Sequence, residues 1–102
     1  MKRRREIGEL LRYGKPVRGE GFLLKWLPAK EFGFIVVVGR RYGTAVRRNR
    51  LKRLFREALR LNRHRLKREV RVAVLPAIAE AVPRFDTLNA EFGRIFEAIT
   101  SR

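Results

Sequence analysis

Leu51, Leu54, Phe55, Ala58 and Leu59 stand at i, i+3, i+4, i+7 and i+8, an apolar stripe that a helix gathers on one side and a core must bury. The stripe lies in the most basic part of the chain, because residues 40–68 hold 13 Lys and Arg against one acid, Glu57. At 100° per residue, Asn49, Arg53, Arg56, Arg60 and Arg63 fall on the opposite side, with Lys52 at its edge. A helix over about 46–62 therefore has one face for a core and one of guanidinium. The rest of the chain has to cover the first face without neutralising the second. Arg47 and Arg48 fall near the apolar side of the extrapolated wheel, so they are expected to project from the helix end and the loop before it.

The cover can be read from periodicity and breakers. A short helix over roughly 3–13 sets Ile7, Leu10 and Leu11 on one side, and Gly14, Pro16, Gly19 and Gly21 separate it from a strand over roughly 21–27 that Pro28 ends. Phe22 and Trp26 share one face of that strand, where core is the stronger reading than an exposed platform. GFIVVVG (33–39) is a continuous β-branched run, expected to be the central strand and buried on both faces. VRVAVLP (70–76) reads as a third strand stopped by Pro76. After a connection over 77–84, a last helix begins near Asp86 or Thr87 with Asp86 as its N-cap, and Leu88, Phe92, Ile95, Phe96 and Ile99 form its stripe. The expected class is α+β, a small sandwich of order αββαβα with a short sheet packed by helices.

At 102 residues the chain suits one domain, 1–102. Its net charge of +16 seeks a polyanion, while an apolar share of 45% is far above that of a basic disordered tail. Residues 1–39 and 69–102 are much less charged than 40–68, and a localised patch is the mark of a nucleic-acid site rather than of a merely solvated face. Arg outnumbers Lys there, and its planar fork grips phosphate oxygens in pairs and stacks on bases. Arg40, Arg41, Arg47, Arg48 and Arg50 crowd the start of the helix, itself an anion site through its free N–H groups. The absence of Cys removes thiol chemistry and points to a reducing compartment. Neither a secretory leader nor a membrane span is visible, so a cytoplasmic protein with no membrane partner is expected.

Catalytic groups do not assemble from the sequence. His64, the only histidine, has no carboxylate pair placed to work with it and reads as one more surface contact beside Arg63 and Arg65. Glu57 has Arg53 and Arg60 at i−4 and i+3, the spacing of a helix-surface ion pair. A helix-turn-helix reading fails because an apolar strand precedes the basic helix, and a membrane-surface helix is disfavoured because strands on both sides tie it into a core. A structural RNA-binding protein of the ribosome shares the charge and size and stands as the alternative.

The string GRRYGTAVRRNRLKRLFREALR, residues 39–60, resembles the signature of the bacterial ribonuclease P protein subunit: two basic residues, a Gly and an Ala-Val leading into an Arg-Asn-Arg segment and a basic-apolar helix. The order of elements and the length also fit, so the resemblance covers nearly the whole chain. It implies an accessory subunit of an endoribonuclease whose RNA subunit, with bound Mg2+, removes the 5′ leader from precursor tRNA, and a strand-helix-strand crossover of the left-handed kind. The implied partners are the catalytic RNA and precursor tRNA, with the protein monomeric and holding no metal or catalytic residue of its own. Carried onto this sequence, Arg48, Asn49, Arg50, Lys52, Arg53, Arg56 and Arg60 would meet the catalytic RNA. Ile7, Leu11, Phe22, Lys25, Arg40, Arg41 and Arg48 would hold the leader between the first helix and the open face of the sheet. Ile7 and Leu11 stand where the family commonly has aromatics, exchanging base stacking for apolar contact, and Lys25 stands for a strand tyrosine, exchanging stacking for a phosphate contact. Thr44 replaces a loop Asn.

Overall fold

A computed structural model describes residues 4–77 and 83–100. Helix α1 (Arg4–Tyr13) leads into strands β1 (Lys15–Gly19), β2 (Phe22–Pro28) and β3 (Gly33–Val36). A 3-10 turn (Arg40–Tyr42), helix α2 (Ala45–Asn62) and a second 3-10 turn (Arg63–Arg65) then precede strand β4 (Val70–Pro76) and helix α3 (Phe85–Thr100). The order is αβββαβα, with one strand more than periodicity predicts. Most of the connection expected over 77–84 lies outside the described residues.

The added strand is β1. Its Lys-Pro-Val-Arg-Gly sequence offers one apolar side chain and reads as punctuation, yet it pairs antiparallel with β2 from Lys15↔Trp26 to Gly19↔Phe22. It can do so because it is an edge strand, where Pro16 needs no outward donor and Val17 alone reaches the core. The two-residue loop Glu20–Gly21 closes the hairpin with Gly21 at φ +86°, a conformation that favours glycine. At Gly19 a Cβ would stand 2.2 Å from the Phe22 ring, so the ring lies where any side chain would.

The sheet order is β1-β2-β4-β3, with β2 and β4 antiparallel and β3 and β4 parallel. The expectation of a central strand at 33–39 is thus corrected: β3 is a four-residue edge strand, and β4 is an inner strand, with Val72, Ala73 and Val74 at 0% exposure. An apolar run reports burial but not position, and β3 joined to β4 through α2 leaves the place between β2 and β3 for β4.

Alternation along β2 sorts the two layers. Phe22, Leu24 and Trp26 enter the core with Val70, Val72 and Val74 of β4, beneath α2 and α3. Phe22 stacks on Phe92 at 4.6 Å and meets Phe55 edge-on at 5.9 Å, aromatic contacts worth about 0.5–1.5 kcal/mol each beyond burial. The α2 stripe is buried at Leu51, Phe55, Ala58 and Leu59, while Leu54 is half-buried. All five stripe residues of α3 are buried. Leu23, Lys25 and Leu27 point to the other face, where α1 packs with Leu10 buried and Glu6 3.6 Å from Arg71. Helix α3 begins at Phe85, and its first bond runs from the Leu88 N–H to the Arg84 carbonyl, so Asp86 sits inside the first turn and not at the N-cap. There its charge still complements the helix dipole.

Candidate nucleic-acid interface

The N-terminus of α2 stands at the end of the sheet where β3 and β4 finish. The Tyr42 hydroxyl donates to the Pro76 carbonyl at 2.7 Å and anchors the Arg40–Tyr42 turn to the last residue of β4. Burial pushes the Tyr42 hydroxyl above its ordinary pKa, with Arg41 opposing, so it remains a donor. Arg40 and Arg41 flank this anchor and are exposed. Thr44 caps α2 by accepting from the Arg47 N–H at 3.2 Å, a role that its place in a Gly-Thr-Ala-Val loop did not announce.

Arg47 and Arg48 are in the first turn of α2 and half-buried, correcting the expectation that they project from its end. The Arg48 Nε is buried with no hydrogen-bond partner among the described residues. A desolvated guanidinium donor at a helix N-terminus is costly unless an acceptor answers it. Asn49, Arg50, Arg53, Arg56 and Arg60 are exposed, and Lys52 is half-buried. Asn49, Lys52, Arg53, Arg56, Glu57 and Arg60 line a shallow groove along this face. Glu57 pairs with Arg60 at 3.9 Å, one of the two partners its spacing allows. The groove is therefore cationic along its length.

The residues expected to hold the leader divide. Ile7 and Leu11 are half-buried on α1, beside the sheet face that carries Lys25. Lys25 does not extend its ammonium freely: it donates to the Leu11 carbonyl at 2.6 Å. Phe22 is 4% exposed and its ring packs against Phe55 and Phe92 on the opposite face of the sheet, while the residue also borders the open-face groove near the hairpin. Sequence reasoning missed Arg18 and Leu23, which with Leu75 and Ala77 line a groove on the open face near the hairpin. The pairing row Gly19–Phe22–Pro76 puts that groove at the same end of the sheet as Arg40 and Arg41. Recognising β1 as a strand was the signal needed, since period 2 then turns Arg18 to the open face.

Comparison with known proteins identifies the family and the fold. The ribonuclease P family model matches residues 1–100. A ribonuclease P protein component of Thermus scotoductus is 44% identical over 71 residues, 70% of this chain and 43% of that protein, so the match spans less than half of its length. One from Desulfatibacillum aliphaticivorans is 36% identical over 89 residues, 85% of this chain and 75% of its own. The ribonuclease P protein of Thermotoga maritima superposes with a TM-score of 0.78 at 24% identity, covering 96% of this chain and 94% of that one. That of Staphylococcus aureus gives 0.78 at 16%, covering 97% and 93%. These structures share the α+β fold of three helices on a four-stranded sheet, and with a family match that runs from the first helix to the last, the chain belongs to the ribonuclease P protein family.

Proposed function

We propose that this chain is the RNA-binding subunit of ribonuclease P, contacting the catalytic RNA through the arginine face of α2 and precursor tRNA through the α1 side of the sheet. The observation that carries this reading is Arg48. It is half-buried in the first turn of a helix N-terminus, beside Asn49 and Arg50, with its Nε donor unanswered among the described residues. A phosphate oxygen is an acceptor suited to a guanidinium, to the free helix N–H groups and to the dipole together. Asn49, Lys52, Arg53, Arg56 and Arg60 continue the contact along the helix.

For the leader, Ile7 and Leu11 offer apolar contact, and Arg40, Arg41 and Arg48 neutralise phosphates at the mouth of the open-face groove, which Arg18 extends. Lys25 holds α1 in place and keeps two further N–H donors. Mg2+ belongs to the RNA in this reading, as the family resemblance implies. The chain contributes charge, shape and register, and its surroundings are cytoplasmic. Among the described residues no helix is long and apolar enough to cross a membrane. The family match disfavours a ribosomal role.

The test is cleavage of labelled precursor tRNA at low Mg2+ by the protein alone, a bacterial ribonuclease P RNA alone, and both together. Product that requires the mixture, and that is lost with Arg48→Ala/Arg50→Ala, is expected. Equal cleavage with and without the protein would discard the reading.

A further inference from the structure

We propose that the groove at the far end of α2 is a second RNA-contact surface that takes a phosphodiester segment of the catalytic RNA. The proposal rests on the reading that α2 binds that RNA and extends it to residues that reading does not use. Around this groove, of about 490 Å3, stand Arg60, Arg63, His64, Lys67 and Arg68 over a floor that includes Phe32. Phe32 immediately precedes β3 and Glu69 immediately precedes β4, so the groove lies at the opposite end of the sheet from Arg40 and Arg41.

Two of the cations there are held against aromatic rings. Arg63 lies over the Phe32 ring at 4.9 Å and reaches Glu69 at 3.5 Å, yet its side chain is 55% exposed. Arg68 lies over Trp26 at 5.6 Å. Asn62 is buried, donates to the Ala58 carbonyl and to Asn89 Oδ1, each at 2.8 Å, and accepts from Arg65 Nε at 3.1 Å. Arg65 turns on to Glu97 of α3, away from the groove. This network fixes the Arg63–Arg65 turn, so the groove is formed before any ligand arrives and binding loses little conformational entropy.

Two observations identify the occupant. Arg60 lines both this groove and the one along α2, which makes the cationic surface continuous. Over 18 residues α2 is about 27 Å long, so one phosphate cannot serve both ends and a run of nucleotides can. In addition, α1 and the open sheet face lie in the other layer, so the RNA lying on α2 is the one that reaches here. An aromatic floor beneath a pinned guanidinium suits an unpaired base beside its phosphate, as in RNA loops.

The experiment uses the full chain and a bacterial ribonuclease P RNA, with affinity measured across KCl concentrations and hydroxyl-radical footprinting of the RNA. Arg63→Ala/Lys67→Ala is the principal variant. Lys67→Ala alone, an exposed change, keeps the test decisive if the double variant melts early. For the double variant we expect the salt slope to fall by roughly 1.4 to 1.8 and affinity to drop roughly tenfold near 0.1 M salt. For Lys67→Ala we expect about half that slope change, and in both one RNA segment should lose protection while the rest of the footprint persists. Wild-type slope and footprint in both variants, with Arg53→Ala still weakening binding, would overturn this proposal and leave the α2 reading standing. If Arg53→Ala also has no effect, both fall. Loss confined to precursor tRNA binding would equally overturn the assignment to the catalytic RNA.

Discussion

The Lys25 ammonium donates to the Leu11 carbonyl at 2.6 Å, joining the middle of β2 to the last turn of α1. The last carbonyls of a helix have no partner within it, and a cation at that end also meets the negative pole of the dipole. This bond joins Leu10 burial and the Glu6–Arg71 pair in seating α1 on the open face.

Lys25→Met keeps the aliphatic stem and removes the donor. It should cost about 1–2 kcal/mol, since a hydrogen bond from a charged group is lost and a carbonyl is left unanswered. A fall in melting temperature of several degrees is expected, with hydrogen exchange quickening in α1 ahead of β2 and β4. Unchanged exchange in α1 would show that Leu10 packing and the Glu6–Arg71 pair hold the helix without Lys25.

The two faces of α2 separate binding from stability. Phe55 is fully buried between Phe22 and Phe92, so Phe55→Ala should cost about 3–5 kcal/mol. Leu54, half-buried at the edge of the stripe, should cost clearly less on truncation, although the helical wheel treats the two alike. Arg50→Ala or Arg53→Ala should leave melting within about 0.5 kcal/mol of wild type and lower the salt slope of RNA binding by roughly 0.7–0.9. Unfolding by Arg50→Ala would reverse the assignment of the faces.

Most of this architecture was legible where period and burial coincide. The α2 and α3 stripes, β2 and β4 each have a single buried side or a bounded apolar run, and their positions followed. What failed were properties that no local pattern encodes. The place of β3 in the sheet depends on where the α2 crossover delivers β4. The strand character of Lys15–Gly19 comes from pairing with β2, because its own composition argues for a turn. At the site, residue types were legible and facing directions only in part: alternation reads Phe22 as core, which its ring is, while the residue also borders the open-face groove. Lys25 found a backbone partner that charge reasoning could not foresee.

Glu91 ties α3 to the tip of the β1–β2 hairpin. Its carboxylate accepts from Arg94 Nε at 2.9 Å and from the Glu20 N–H at 2.8 Å, and these bonds hold its pKa below the ordinary value. A depressed carboxylate pKa contributes stability above the unfolded-state value and loses it as pH falls through the folded one. Glu91→Gln should therefore melt lower than wild type at pH 7, by up to about 1 kcal/mol, and the gap should close as pH drops below the usual carboxylate range. A gap that stays constant from pH 7 to pH 3 would mean that the charge on Glu91 contributes nothing.

Thr44 joins the fold to the proposed RNA contact, because the same hydroxyl that starts α2 also orders the turn bearing Arg47 and Arg48. Loss of an N-cap typically costs about 0.5–2 kcal/mol, concentrated in the first turn. Thr44→Ala should therefore lower the melting temperature modestly while weakening RNA binding more than its distance from any phosphate would explain, since Arg48 would have to be ordered on binding. Thr44→Asn supplies an equally good cap, so it should restore both stability and affinity. Thermal melts and salt titrations of the two variants separate the effects. If Thr44→Ala lost stability but bound RNA with wild-type affinity and slope, the first turn of α2 would lie outside the RNA contact, and the interface would have to begin further along the helix, at Arg53.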